Sequence, residues 1–68
     1  MISMDPSSPT EDSPQGLIAL GDRARQDERP EAAHGLYEKS LELARTKRDA
    51  RATGRALLAL ADNAMWFL

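Results

Sequence analysis

The chain contains no cysteine, which excludes disulfides and any thiolate metal site. It has one histidine, His34, so a histidine-based metal cluster is excluded too. Aromatic residues are scarce: one Tyr, one Trp and one Phe. An excess of one charge is also lacking. Nine Lys/Arg stand against eleven Asp/Glu, a net charge of −2, which offers no electrostatic hold on nucleic acid or an anionic membrane. The longest unbroken apolar run is Ala56-Leu57-Leu58-Ala59-Leu60-Ala61, far short of the roughly 20 residues that span a bilayer. The opening Met1-Ile2-Ser3-Met4-Asp5 shows no basic stretch leading into an apolar one, so no secretory signal is read there. These absences together point to a cytoplasmic chain. With 68 residues it holds one domain at most. A core of that size supplies only about 3–5 kcal/mol and normally needs a staple. With disulfides and metal excluded, the remaining staple is a protein partner, either a second copy or other protein.

Residues 1–14 carry Pro6, Pro9 and Pro14 with four serines and the acids Asp5, Glu11 and Asp12. This composition buries too little apolar surface to offset its ordering entropy and predicts a disordered acidic tail. Residues 15–68 are read as a helical module. Ser13-Pro14 is a helix start, with Ser as N-cap and Pro at the first helical position. The first helix is expected from about Pro14 to about Gln26, with Leu17, Leu20, Gly21 and Ala24 on one face. Asp27-Glu28-Arg29 breaks it, and Pro30 opens a second helix reaching about Thr46. There Ala33, Leu36, Tyr37, Ser40, Leu41 and Ala44 follow the longest clean helical period in the chain. Asp49 is a good N-cap for a third helix running to the end, with Leu57, Leu60, Ala61, Ala64 and Leu68 as its stripe. Leu58, Met65 and Trp66 lie off that stripe, so this helix is apolar on more than one face and is either sandwiched or short of a partner.

The pattern Leu17-x-x-Leu20-Gly21-x-x-Ala24, followed by Ala33-x-x-x-Tyr37, resembles one tetratricopeptide repeat, a helical pair with small residues where the two helices meet. The run Tyr37-Glu38-Lys39-Ser40-Leu41-Glu42-Leu43 is similar to the end of that family's second helix. Leu57-x-x-Leu60-Ala61-x-x-Ala64 restates the first motif 40 residues later, as the first helix of a next repeat. That spacing is longer than the roughly 34-residue common period. It resembles the longer repeats of bacterial regulators and signalling ATPases. The chain departs from the family pattern at Leu17, where a Trp is usual, and at Ala24, where an aromatic is usual; no proline closes the second helix. The resemblance implies an all-α fold, one antiparallel hairpin plus the first helix of a second repeat, and a role in protein–protein interaction.

The resemblance also implies a partner-binding concave face, built from the first helix of each repeat. The matching positions are Ile18, Asp22 and Arg25, then Leu58, Asp62 and Met65. Ile18 and Asp22 stand where some members of the family carry a carboxylate-gripping Lys and Asn, so that clamp is absent. A face mixing apolar and acidic groups suits an amphipathic or basic peptide. Trp66 and Phe67 add an aromatic anchor at the C-terminal end, because aromatics dominate interface energetics. The uncapped third helix predicts a homodimer formed through that helix, since exposed contiguous apolar patches are rare on monomers.

Catalysis has no constellation behind it: neither a nucleophile-elbow nor a metal motif is present, and no cofactor is expected. His34 reads as an exposed polar flank, and Glu38 with Glu42 as a solvated face. The basic cluster Arg45, Lys47, Arg48, Arg51 and Arg55 is interrupted by Asp49 and has no interleaved aromatics for base stacking, so it reads as a soluble turn. The rival reading comes from another class. It makes the chain a short precursor peptide, with a helical leader and an aromatic segment, Met65–Leu68, modified by partner enzymes.

Overall fold

A computed structural model of the chain describes residues 13–67, with side chains described to Met65. Residues 1–12, which fall in the expected acidic tail, lie outside the described residues, as do Leu68 and the side chains of Trp66 and Phe67. The described residues form three helices and no strand: α1 (Pro14–Gln26), α2 (Pro30–Thr46) and α3 (Ala50–Phe67). The expected helix ends match these bounds closely, because each start carries a local signal.

Ser13 has extended backbone, and its Oγ accepts the Gly16 amide at 3.0 Å. This satisfies one of the orphan donors at the start of α1, while Pro14 at the first helical position has no amide to satisfy. Asp49 does the same for α3, its Oδ1 accepting the Ala52 amide at 3.0 Å. Arg29 before α2 gives no side-chain cap, and that start depends on Pro30. Ser13→Ala is therefore expected to cost about 1 kcal/mol, read as a lower urea midpoint at unchanged slope. An unmoved midpoint would show that the cap contributes nothing.

The two turns are copies of each other. After α1, the Glu28 amide bonds the Arg25 carbonyl at 3.0 Å and the Arg29 amide bonds the Ala24 carbonyl at 2.8 Å. After α2, the Arg48 amide bonds the Arg45 carbonyl at 3.1 Å and the Asp49 amide bonds the Ala44 carbonyl at 2.8 Å. Both are Schellman closures with a left-handed residue after the cap, Glu28 at φ 60° and Arg48 at φ 54°. Glycine is the usual occupant of that position. Here a charged residue takes it twice, and the absence of glycine hid the turn type from the sequence.

Both turns reverse the chain, so α1 and α3 each pack along α2, and they also touch each other. The three helices therefore share one small core. The core is correspondingly sparse: Leu17, Ala33, Tyr37, Ala44, Ala52 and Ala56. Small residues dominate because buried positions lie only along the seams where helices touch. The α2 stripe is buried at Ala33, Tyr37, Ser40 and Ala44, while Leu36 and Leu41 are half-buried. On α1, Leu17 and Gly21 are buried as expected, with Leu20 and Ala24 half-buried.

The α3 stripe differs from the expectation. Ala52, Ala56 and Asn63 are the buried residues, whereas Leu57 is 52 % exposed and Ala61 is also exposed. The seam toward α2 takes the small residues, since only they let the backbones approach. Of the motif that restates the α1 pattern, Leu57 and Ala61 are exposed and Leu60 and Ala64 are half-buried.

Two buried side-chain hydrogen bonds tie each helix to the start of the one before it. Ser40 Oγ donates to the Pro14 carbonyl at 2.8 Å, and Asn63 Nδ2 donates to the Pro30 carbonyl at 2.8 Å. Ser40 and Asn63 are both fully buried, so these bonds offset the cost of placing polar groups in a small core.

Candidate functional site

The site is the open groove between α1 and α3. Gly21 and Tyr37 position one of its lining residues, Asp22. A methyl group on Gly21 would stand 2.7 Å from Tyr37 Cδ1 and 3.0 Å from Cζ, closer than carbon atoms tolerate. The missing side chain lets the ring pass directly beneath α1 and project its hydroxyl to Asp22, to which it donates a hydrogen bond. Burial, and next the Asp22 carboxylate, push the Tyr37 phenol up to about 12. It is therefore a neutral donor throughout the physiological range, and one Asp22 oxygen is committed to it.

Arg25, one turn beyond Asp22, bridges the groove. Its Nη1 stands 3.1 Å from Asp62 Oδ2 on α3. The Tyr37 oxygen foremost, and then Asp62, hold the guanidinium above its ordinary range despite some burial. The pair is surface-accessible, so its contribution to stability is about 0–1 kcal/mol. Its geometric effect is to fix the width of the groove. Leu58 and Met65 flank it on α3 at 73 % and 84 % exposure.

Asp22, Arg25, Leu58, Asp62 and Met65, five of the expected partner-binding residues, thus line one groove, joined by Arg55. Ile18 is half-buried one turn earlier on α1 and is not among the described lining residues. The side chains of Trp66 and Phe67 fall outside the described residues. His34 is half-buried, with Nε2 3.3 Å from Glu38 Oε1.

The groove continues into a cavity of about 570 Å³ lined by Asp22, Arg25, Gln26, Glu28, Pro30 and Asn63. Sequence reasoning passed over its far end. Glu28 reads as a turn residue, and Asn63 as one polar residue in an alanine-rich helix. The available signal was the eleven-residue step from Ala52 to Asn63, which returns to the same helical face. Among the described residues no group of three or more acidic, His or Cys side chains could hold a metal ion, and no helix is long and apolar enough to cross a membrane. No family model, curated protein or solved structure matches the chain.

Proposed function

We propose that the chain is a protein-docking module of tetratricopeptide type that receives a helical or extended partner in the groove between α1 and α3. One observation carries this reading: Leu58 and Met65 stand 73 % and 84 % exposed beside an ion pair that spans the groove. Two large apolar side chains on one accessible face are a surface that association would cover. The glycine-on-tyrosine contact, the repeated turns and the repeated Ser40 and Asn63 ties support the repeat reading. A second copy of the chain is the simplest partner. It would form a homodimer through α3, where Leu57 adds a further exposed apolar residue. The reading places such a module in the cytoplasm, within a bacterial regulator, with no catalytic role of its own.

Sedimentation tests it. The chain is expected to run as a dimer at micromolar concentration, and the double change Leu58→Glu with Met65→Glu is expected to give a monomer of unchanged helicity. Both residues are exposed, so the fold tolerates the added charge. A parent chain that is monomeric throughout, and that binds none of a set of basic amphipathic peptides, overturns the reading.

A further inference from the structure

Asn63 is the one fully buried amide side chain in the core, and only one end of it is accounted for. Its Nδ2 donates to the Pro30 carbonyl, while its Oδ1 is buried with no hydrogen-bond partner among the described residues. A buried acceptor without a donor is costly, and such groups in native folds call for an explanation. Here the residue lines a cavity, so a donor seated in that cavity lies next to this side chain. Two carboxylates share that cavity, Asp22 and Glu28, both on exposed residues. One Asp22 oxygen accepts from Tyr37, and Glu28 makes no ion pair with the described residues. The only cation among the described lining residues, Arg25, is already paired with Asp62 at 3.1 Å. The cavity therefore presents acceptors and net negative charge, and the group that fits it brings several donors and a positive charge. Pro30 and Gln26 line the same cavity, and their carbons suit an apolar stem behind that charge.

We propose that this cavity is a subsite for the guanidinium or ammonium end of a partner's Arg or Lys side chain, with Asn63 Oδ1 as the buried acceptor and Asp22 and Glu28 as the charge partners. The subsite rests on the reading of the groove as a protein-docking surface and supplies its specificity. An apolar partner residue packs on Leu58 and Met65, and a cationic one enters beside Pro30. Glu28, which lines the cavity, occupies the left-handed turn position, where glycine would form the turn with less strain.

The test uses the isotope-labelled full chain, with butylguanidinium, butylammonium and the neutral isostere butylurea as probes. Both cations are expected to move the Asn63 side-chain amide resonance and the Gln26 and Glu28 backbone amides saturably. Butylurea is expected to need about tenfold more probe, the difference between a charge-assisted and a neutral hydrogen bond. Glu28→Gln, an exposed change that spares the fold, should weaken the cations about tenfold and leave butylurea unmoved. Equal midpoints for butylguanidinium and butylurea, or an Asn63 resonance that no probe moves, would overturn the subsite and leave it a water-filled hollow. A pair of amphipathic peptides, one with Arg and one with citrulline at the same place, separates this from the docking reading. Equal binding of both peptides in the groove defeats the cation subsite alone. Binding of neither, with butylguanidinium still saturating at Asn63, defeats the docking reading alone.

Discussion

Ala33→Arg is expected to abolish cooperative folding. Ala33 is fully buried on α2, one turn before Tyr37, on the seam of the first hairpin. Its neighbours along that face, Tyr37, Ser40 and Ala44, are fully buried as well, so no local gap takes a longer side chain. Overpacking alone costs about 1–3 kcal/mol. A buried charge without a partner adds about 3–5 kcal/mol. The whole core of a chain this small supplies roughly 3–5 kcal/mol, so the loss exceeds the reserve. Far-UV circular dichroism should show a shallow, non-cooperative melt from the lowest temperature. Ala33→Leu, which adds volume without charge, should leave a lowered but cooperative transition. A parental melt for Ala33→Arg would place the seam elsewhere on α2.

Gly21→Ala is expected to destabilise, although alanine is the better helix former by about 1 kcal/mol. The added methyl would meet the edge of the Tyr37 ring at 2.7 Å, and that ring is fully buried and tethered to Asp22. The ring cannot give way without breaking its hydrogen bond, so overpacking of about 1–3 kcal/mol outweighs the propensity gain. Gly35 and Gly54 provide the contrast. A methyl on Gly35 or Gly54 meets nothing within 4 Å, so alanine there should gain up to about 1 kcal/mol. Tyr37→Leu costs stability by itself, but it removes the ring edge. In that background Gly21→Ala should become neutral or stabilising, a reversal that a double-mutant cycle of urea melts would record. The same sign in both backgrounds would mean that the glycine answers to something other than the ring.

Helix ends were legible in the sequence because they are set locally. Ser13-Pro14 and Asp49 are capping signals that act within a few residues, and Pro30 fixes its own φ. The faces of α1 and α2 were legible too, since each has one apolar stripe. The face of α3 was not. Its leucines dominate any periodicity argument, but the small residues Ala52 and Ala56 take the buried positions and Leu57 stays outside. Five of the groove residues, Asp22, Arg25, Leu58, Asp62 and Met65, were legible only through the resemblance to tetratricopeptide repeats, which implies partner contacts on the first helix of each repeat. The inner end of the cavity was not. The burial of Asn63 follows from its register on α3 against α2, which a helix read alone does not disclose.

The repeated turns have a kinetic consequence. Each helix docks mainly on its neighbour in sequence, across a tight reversal, so most contacts between helices form within a hairpin. Such local topologies fold in about microseconds to milliseconds. Either hairpin can form first, and α2 belongs to both. Lesions in α2 should therefore slow folding by either route, while lesions on the outer face of α3 should mainly hasten unfolding. In a linear array of this kind the middle helix sets the rate of assembly, and the last helix sets how long the assembled state persists.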